Sequence, residues 1–212
     1  MSGKPILYHF YKTRSSKVLW LIKELNIDVE VRPVDLTPAK REQRLPEYLK
    51  LNPSGTVPTL VDGDLVLTES LAICLYLLDK YDRNHALGGA PGTQLRSLVY
   101  DIGAWTSAEV EEPVVEWFLH GCLWEPPRKD PEIAARAKKE WTEHLEEVCA
   151  VKLGDKPYIL GDTFTAADVF FGYSMQLAQR GGLLAQVPKL DEYAKRVSSR
   201  EGFGTSHNPP QQ

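Results

Sequence analysis

The sequence predicts an α/β domain with a small mixed sheet, followed by an all-helical domain. Three observations predict it. Strand-like and helix-like patterns alternate over residues 1–81. An Asp62-Gly63 step sits between two short apolar runs, a strong hairpin signal because the turn needs positive φ. Beyond residue 95, apolar residues recur at helical spacing with almost no strand signal.

The elements follow in order. "ILYHFY" (6–11) is a short apolar run that reads as a buried strand. "KVLWLIKEL" places Val18, Leu21, Ile22 and Leu25 on a helical stripe, so a helix starts near Ser15 or Ser16, either a suitable N-cap. "DVEVRPVD" (28–35) alternates apolar and polar residues as a strand does. Pro33 cannot donate to a ladder, so it belongs near that strand's end or on an unpaired side. "PAKREQRLPEYLKL" (38–51) is polar with sparse apolar anchors and reads as a weak surface helix or an irregular segment. "TVPTLV" and "DLVLT" form the hairpin. "ESLAICLYLLDKY" is apolar nearly all round, which predicts a helix buried on more than one face. A first crossover followed by a hairpin gives parallel and antiparallel neighbours in one sheet.

"DRNHALGGAPGTQ" (82–94) is rich in Gly, Pro and Asn and reads as a linker. The segment 95–212 then reads as helical. A long helix over 95–124 is bent or broken near Glu112-Pro113. A second, over 131–153, takes Pro131 in its first turn. "TFTAADVFFGYSMQLAQRGG" is a third, ended by Gly181-Gly182. "PKLDEYAKRVSSREGF" is a fourth, and "TSHNPPQQ" is a loose tail. Thr165 and Asp168 form a T-x-x-D capping pattern, so Asp168 is a helix-nucleating residue rather than a catalytic acid.

Bulk properties exclude several classes. Apolar content of 42% and charged content of 25% over 212 residues are those of a globular chain with a core. The net charge of −4 provides no field for nucleic acid or anionic membranes. Cys74, Cys122 and Cys149 are too far apart for a metal or redox motif and read as free buried thiols in a reducing compartment. No metal site is expected. "MSGKPILYHFY" lacks the apolar core of a secretory signal, and no apolar run is long enough to span a bilayer. A cytoplasmic protein is the expectation.

"NPSGTVPTLVDGDLVLTESLAICLYL" resembles the glutathione-binding block of cytosolic glutathione transferases. "YHFYKTRSSKVLWLIKEL" is similar to the first strand and helix of that family, and "YILGDTFTAADV" with "SREGF" to its helical domain. The resemblance spans residues 5–203. It implies a thioredoxin-like domain over 1–81 that binds glutathione, and an all-α domain over 95–212 carrying a pocket for the electrophile. It also implies a cis Val57-Pro58 bond, which turns the Val57 N–H and C=O out of the ladder to pair with the peptide backbone of glutathione. Glu69 and Ser70 open a helix, where free N–H groups and the positive dipole end suit a carboxylate. The resemblance gives Ser70 the γ-glutamyl carboxylate and Glu69 the α-ammonium; simple capping is compatible with both.

The family chemistry is stabilisation of the glutathione thiolate near the first helix N-terminus. "KTRSS" offers hydroxyls and cations but no tyrosine or cysteine, which fits the serine/threonine-type classes; Tyr8 in the strand is the tyrosine alternative. In those classes the hydroxyl lies five or six residues before the first apolar helix residue. Counting back from Val18 puts Thr13 first, with Ser15 second and otherwise a helix cap. Threonine is a less usual occupant than serine. Arg14 adds positive potential or is a surface cation. Lys40 ranks ahead of Arg41 and Arg44 for the glycyl carboxylate, though "PAKREQR" also reads as a solvated face. Tyr100, Trp105, Trp117 and Phe118 are the aromatics available to an electrophile pocket, or else core.

The function so implied is conjugation of glutathione to small hydrophobic electrophiles by a homodimer, with glutathione as co-substrate and no cofactor. Two other readings stand beside it. One is a glutathione-dependent disulfide or peroxide reductase. The other is a non-catalytic interaction module on the same fold.

Overall fold

In the computed structural model, which describes residues 3–208, the chain divides into two units. One comprises residues up to His85 together with the helix α10 (Glu201–His207); the other is Ala86–Arg200.

The first unit is built around β1 (Ile6–His9). It pairs in parallel with β2 (Glu30–Pro33) and antiparallel with β3 (Thr59–Asp62), which pairs antiparallel with β4 (Leu65–Leu67). The order is β2-β1-β3-β4, the mixed sheet that a crossover plus a hairpin requires. Pro33 is the last residue of β2, an edge strand, so no ladder bond is lost. Gly63, at φ 61, turns the hairpin.

Helix α1 (Ser15–Glu24) buries Val18, Leu19, Trp20, Leu21 and Ile22 because it packs against both α3 (Ser70–Tyr81) and α10. Helix α3 buries Ile73, Cys74, Leu77 and Leu78, one face rather than the several expected; Leu71 and Leu75 flank it half-buried. The polar segment before β3 holds a single 3-10 turn, Glu42–Arg44, and a short helix α2 (Pro46–Leu51) with Pro46 in its first turn.

The second unit opens with α4 (Gln94–Trp105), capped by Thr93, whose hydroxyl accepts the Arg96 N–H. The helix does not break at Pro113. A wide turn over Thr106–Val110, in which the Glu111 N–H reaches the Thr106 carbonyl, leads into α5 (Glu111–Glu116). That i→i−5 step ahead of Pro113 absorbs its missing donor and the clash of its ring. A second wide turn, Trp117–Leu123, follows. Helices α6 (Pro131–Glu140) and α7 (Glu146–Leu153) are joined by a third, with Asp130 capping α6. Helix α8 (Ala166–Arg180) carries the Thr165–Asp168 capping box and ends at Gly181, with Gly182 at φ 74.

The fourth expected helix is two. Helix α9 (Pro188–Ser198) packs on α8, whereas α10 packs on α1, where Phe203 and His207 meet the Trp20 ring edge-on. Two targets demand two directions, and the chain breaks at Ser199-Arg200. The tail expected to be loose is therefore helical through His207; Pro209–Gln212 lies outside the described residues. Cys74 and Cys149 are buried, Cys149 with its thiol pushed up to about 12 by burial, but Cys122 is exposed, contrary to expectation.

Candidate functional site

The sheet register decides what meets. The pairings Tyr8↔Thr59 and Leu60↔Leu67 put the C-terminal ends of β1 and β4 and the N-terminal end of β3 at one edge. Thr13, Val57-Pro58 and Glu69-Ser70 all leave from that edge, though the sequence spreads them over nearly sixty positions.

Between β1 and α1 the chain turns tightly. Lys12 adopts φ 63, and its N–H donates to Ser16 Oγ at 3.0 Å. Neither serine caps α1; the N-cap position is Arg14, half-buried, with no side-chain cap bond. Ser15 instead binds back to the end of β1. Its Oγ accepts the Phe10 N–H at 3.1 Å and lies 2.7 Å from His9 Nδ1, 2.8 Å from Thr13 Oγ1 and 3.0 Å from the Phe10 carbonyl. Ser15 is 0% exposed and enclosed by these partners. Thr13 is half-buried, and its hydroxyl donates to the Phe10 carbonyl at 2.7 Å. His9, which the sequence reading passed over as a strand residue, is buried, and burial lowers its pKa to about 4. Tyr8 points to the α2 face, its ring edge-on to Tyr48 and its hydroxyl accepting from Arg32 at 3.2 Å. That engagement sets it apart from the Thr13 turn.

The Val57-Pro58 bond is cis. Val57 precedes the β3 ladder, and among the described residues its backbone N–H and C=O have no hydrogen-bond partner. The loop carrying it is held from beneath by Asn52, 0% exposed. Asn52 Nδ2 donates to the Thr56 carbonyl at 2.9 Å and to Thr59 Oγ1 at 3.2 Å, and its Oδ1 accepts the Ser54 N–H at 3.0 Å. Tyr48 adds its hydroxyl, 2.7 Å from the Thr56 carbonyl and 2.9 Å from Thr59 Oγ1. Val57, Tyr48 and Val34 form a small cluster with Tyr8, Phe10 and Leu36 against it. Asn52 and Tyr48 are supports the sequence reading missed; a buried amide directly after a helix has no pattern of its own.

Helix α3 starts with Ser70 buried and Glu69 exposed, and no side chain caps it. Its first-turn N–H groups and positive dipole end follow β4 at the edge where β3 begins. Of the cations, Lys40 pairs with Asp35 at 3.3 Å. Arg44 is the one laid against the loop before Val57, its Nη1 3.3 Å from the Ser54 carbonyl and close over Gly55, whose φ is 61.

The second unit's aromatics are spoken for to different degrees. Trp117 donates its indole N–H to the Gly181 carbonyl at 2.8 Å and packs on Gly121 and Gly181, where a methyl group would meet the ring at 2.8 and 3.0 Å. Trp105 tilts against Phe171. Phe118 lies half-buried under the Arg180 guanidinium, and Tyr100 is exposed beside Arg96. His120 Nδ1 accepts the Asp130 N–H. Asp168 is 0% exposed and accepts from the Ile159 and Thr165 N–H groups and the Thr165 and Tyr193 hydroxyls, which makes it a structural hub.

Comparison with known proteins agrees with this architecture. Residues 4–79 match the glutathione S-transferase N-terminal domain and residues 119–203 the C-terminal domain. The chain is 31% identical over 196 residues to the probable glutathione S-transferase GSTF1 of Oryza sativa subsp. japonica, covering 89% of this chain and 88% of that one. It is 31% identical over 199 residues to glutathione S-transferase 3 of Zea mays, covering 88% and 85%. Among solved structures it superposes on poplar glutathione transferase F1 with a TM-score of 0.82 at 25% identity, covering 96% of each chain. It matches the glutathione transferase URE2P6 of Phanerochaete chrysosporium, solved with oxidized glutathione, equally well: TM-score 0.82, 25% identity, 96% and 94% covered. The chain belongs to the glutathione S-transferase family.

Proposed function

We propose that this protein is a glutathione transferase that joins the glutathione sulfur to small hydrophobic electrophiles, with the Thr13 hydroxyl as the donor that holds the thiolate. The observation that carries the reading is the shared sheet edge. A half-buried hydroxyl, an unpaired strand backbone at Val57 and an uncapped helix start at Ser70 leave it together, in a chain of this family.

Glutathione then lies along that edge. Its cysteinyl backbone pairs with Val57 as an added strand. Its γ-glutamyl carboxylate meets Ser70 and the start of α3, and Glu69 accepts from the α-ammonium. Arg44 and Lys40 supply positive charge for the glycyl carboxylate, and Arg14 supplies it near the sulfur. Lowering the thiol pKa by one unit needs about 1.4 kcal/mol of thiolate preference, and one hydrogen bond to a charged group contributes roughly 1.5–3 kcal/mol. A single Thr13 donor is therefore enough for one to two units. Ser15, enclosed behind Thr13, supports the donor rather than touching the sulfur. The thiolate forms a carbon–sulfur bond with the electrophile as the leaving group departs or the electrophile's double bond takes up a proton. Tyr100, Trp105, Trp117 and Phe118 are assigned to electrophile binding. Glutathione is a co-substrate and no further cofactor is needed. A cytoplasmic homodimer is the working form. Among the described residues, no helix is long and apolar enough to cross a membrane.

Retention on immobilised glutathione, with turnover measured on electrophiles, disulfides and hydroperoxides, tests the reading. It expects retention and fastest turnover of electrophiles. Preference for disulfides or hydroperoxides would move the protein to reductase chemistry. Retention without turnover would make it a binding module, and no retention would end all glutathione readings.

A further inference from the structure

The Thr13 hydroxyl is the outer end of a hydrogen-bonded chain that runs inward to a buried histidine. Thr13 Oγ1 lies 2.8 Å from Ser15 Oγ, which lies 2.7 Å from His9 Nδ1. The direction of the protons along this chain decides whether the Thr13 hydrogen faces inward or outward.

His9 is 1% exposed and neutral, so one ring nitrogen carries a proton and the other does not. Its Nε2 has no hydrogen-bond partner among the described residues. A proton there would be a buried donor without a nitrogen or oxygen acceptor, with at most the weak acceptor face of the neighbouring Tyr11 ring, whereas a bare Nε2 leaves only a lone pair unused. Orphaned buried N–H groups are the rarer kind in folded proteins. The proton therefore belongs on Nδ1, which donates to Ser15 Oγ. The Phe10 N–H also donates to that oxygen at 3.1 Å, so its lone pairs are filled. The Ser15 hydroxyl proton must then go to Thr13 Oγ1 at 2.8 Å or the Phe10 carbonyl at 3.0 Å. In the first arrangement Thr13 cannot donate back to Ser15. Its own proton is left for the Phe10 carbonyl, at 2.7 Å, or for an anion brought alongside.

We propose that His9 is a positioning residue: through Ser15, its Nδ1–H sets the Thr13 hydroxyl as an outward donor to the glutathione sulfur. The proposal rests on the reading of Thr13 as that donor. The opposite tautomer would draw the Ser15 proton onto Nδ1 and the Thr13 proton inward after it. Successive donors in such a chain also polarise one another, which strengthens the last bond.

The test is the thiol pKa of bound glutathione, titrated by thiolate ultraviolet absorbance, in wild type, His9→Leu, His9→Asn, Thr13→Ala and the His9→Leu/Thr13→Ala double variant. Leucine keeps the burial and removes the donor; asparagine offers an amide N–H near the Nδ1 position. The expectation is a rise of about one unit in His9→Leu, with kcat lowered and the glutathione KM unchanged, and recovery of most of the shift in His9→Asn. In the double variant, His9→Leu adds nothing to Thr13→Ala. A folded His9→Leu protein with the wild-type thiol pKa overturns the proposal, as do equal shifts in the leucine and asparagine variants or additive shifts in the double variant. If Thr13→Ala itself leaves the pKa unchanged, the Thr13 reading fails and this proposal falls with it. If Thr13→Ala raises it and His9→Leu does not, only the His9 proposal fails. Should His9→Leu not fold, nitrogen NMR of the wild-type ring decides: a protonated Nδ1 with bare Nε2 supports the proposal, and the reverse overturns it.

Discussion

Asn52→Ala isolates the support beneath the glutathione loop. The Asn52 amide is 0% exposed and makes four bonds, to the Thr56 carbonyl and Oγ1, to Thr59 Oγ1 and from the Ser54 N–H. Two of the orphaned partners keep a substitute, since the Tyr48 hydroxyl also reaches the Thr56 carbonyl and Thr59 Oγ1, and Ser54 is exposed to water. The full penalty of unsatisfied groups is therefore not incurred. Lost hydrogen bonds and a small void remain, and together they cost about 2 to 3 kcal/mol. The functional effect should accompany the loss of stability. A loosened loop must be re-ordered when glutathione binds, at about 1 to 2 kcal/mol per residue, so the glutathione Kd should rise about tenfold. Urea unfolding gives the first quantity and isothermal calorimetry the second. Because Tyr48→Phe removes the substitute, the double variant should lose more than the sum of the singles. Additive losses, or a stability change under about 0.5 kcal/mol in Asn52→Ala, would show that the amide does not hold this loop.

Other expectations come from other parts of the molecule. His9 is held at about 4 in the folded protein against 6.5 for the free side chain, so between those values the unfolded chain binds a proton that the folded one excludes. Its contribution is complete above pH 6.5 and falls as pH drops, by about 1.4 kcal/mol per unit and about 3 kcal/mol by pH 4. Urea midpoints across that range should slope less in His9→Leu, and an unchanged slope would refute the assignment. Asp168→Ala strips the acceptor from two N–H groups and two hydroxyls in the buried hub and should lose about 3 kcal/mol or more, read by thermal unfolding. Gly121→Ala drives a methyl to within 2.8 Å of the Trp117 ring and should destabilise by about 1 to 2 kcal/mol despite the better helix propensity of alanine. A stabilised Gly121→Ala protein would mean that Trp117 moves freely.

Local signals were legible in the sequence to the extent that one residue type has one strong reason to be where it is. The Asp62-Gly63 turn, the proline ending β2, the T-x-x-D box at Thr165 and the Gly181-Gly182 stop needed no tertiary information. The errors lie where a distant partner decides. Pro113 suggests a bend or a break; a wide turn before it spends an extra residue, and the helix does not break. The final helix looked single until its two halves found different surfaces on α8 and α1. At the site, Val57-Pro58 and the Glu69-Ser70 helix start could be read because both lie in one contiguous block. Ser15 could not be told from a helix cap, because its partner His9 lies across a turn. The approach of Arg44 to Ser54 and Gly55 has no sequence signal, because only the folded loop brings it there.

The most direct test of the Thr13 assignment is the pKa of the glutathione thiol bound to wild-type protein and to Thr13→Ala. A thiolate held by Thr13 gives a bound pKa below that of free glutathione in the wild type and a rise of about one to two units on loss of the hydroxyl. A bound thiol with the same pKa in both proteins would contradict it.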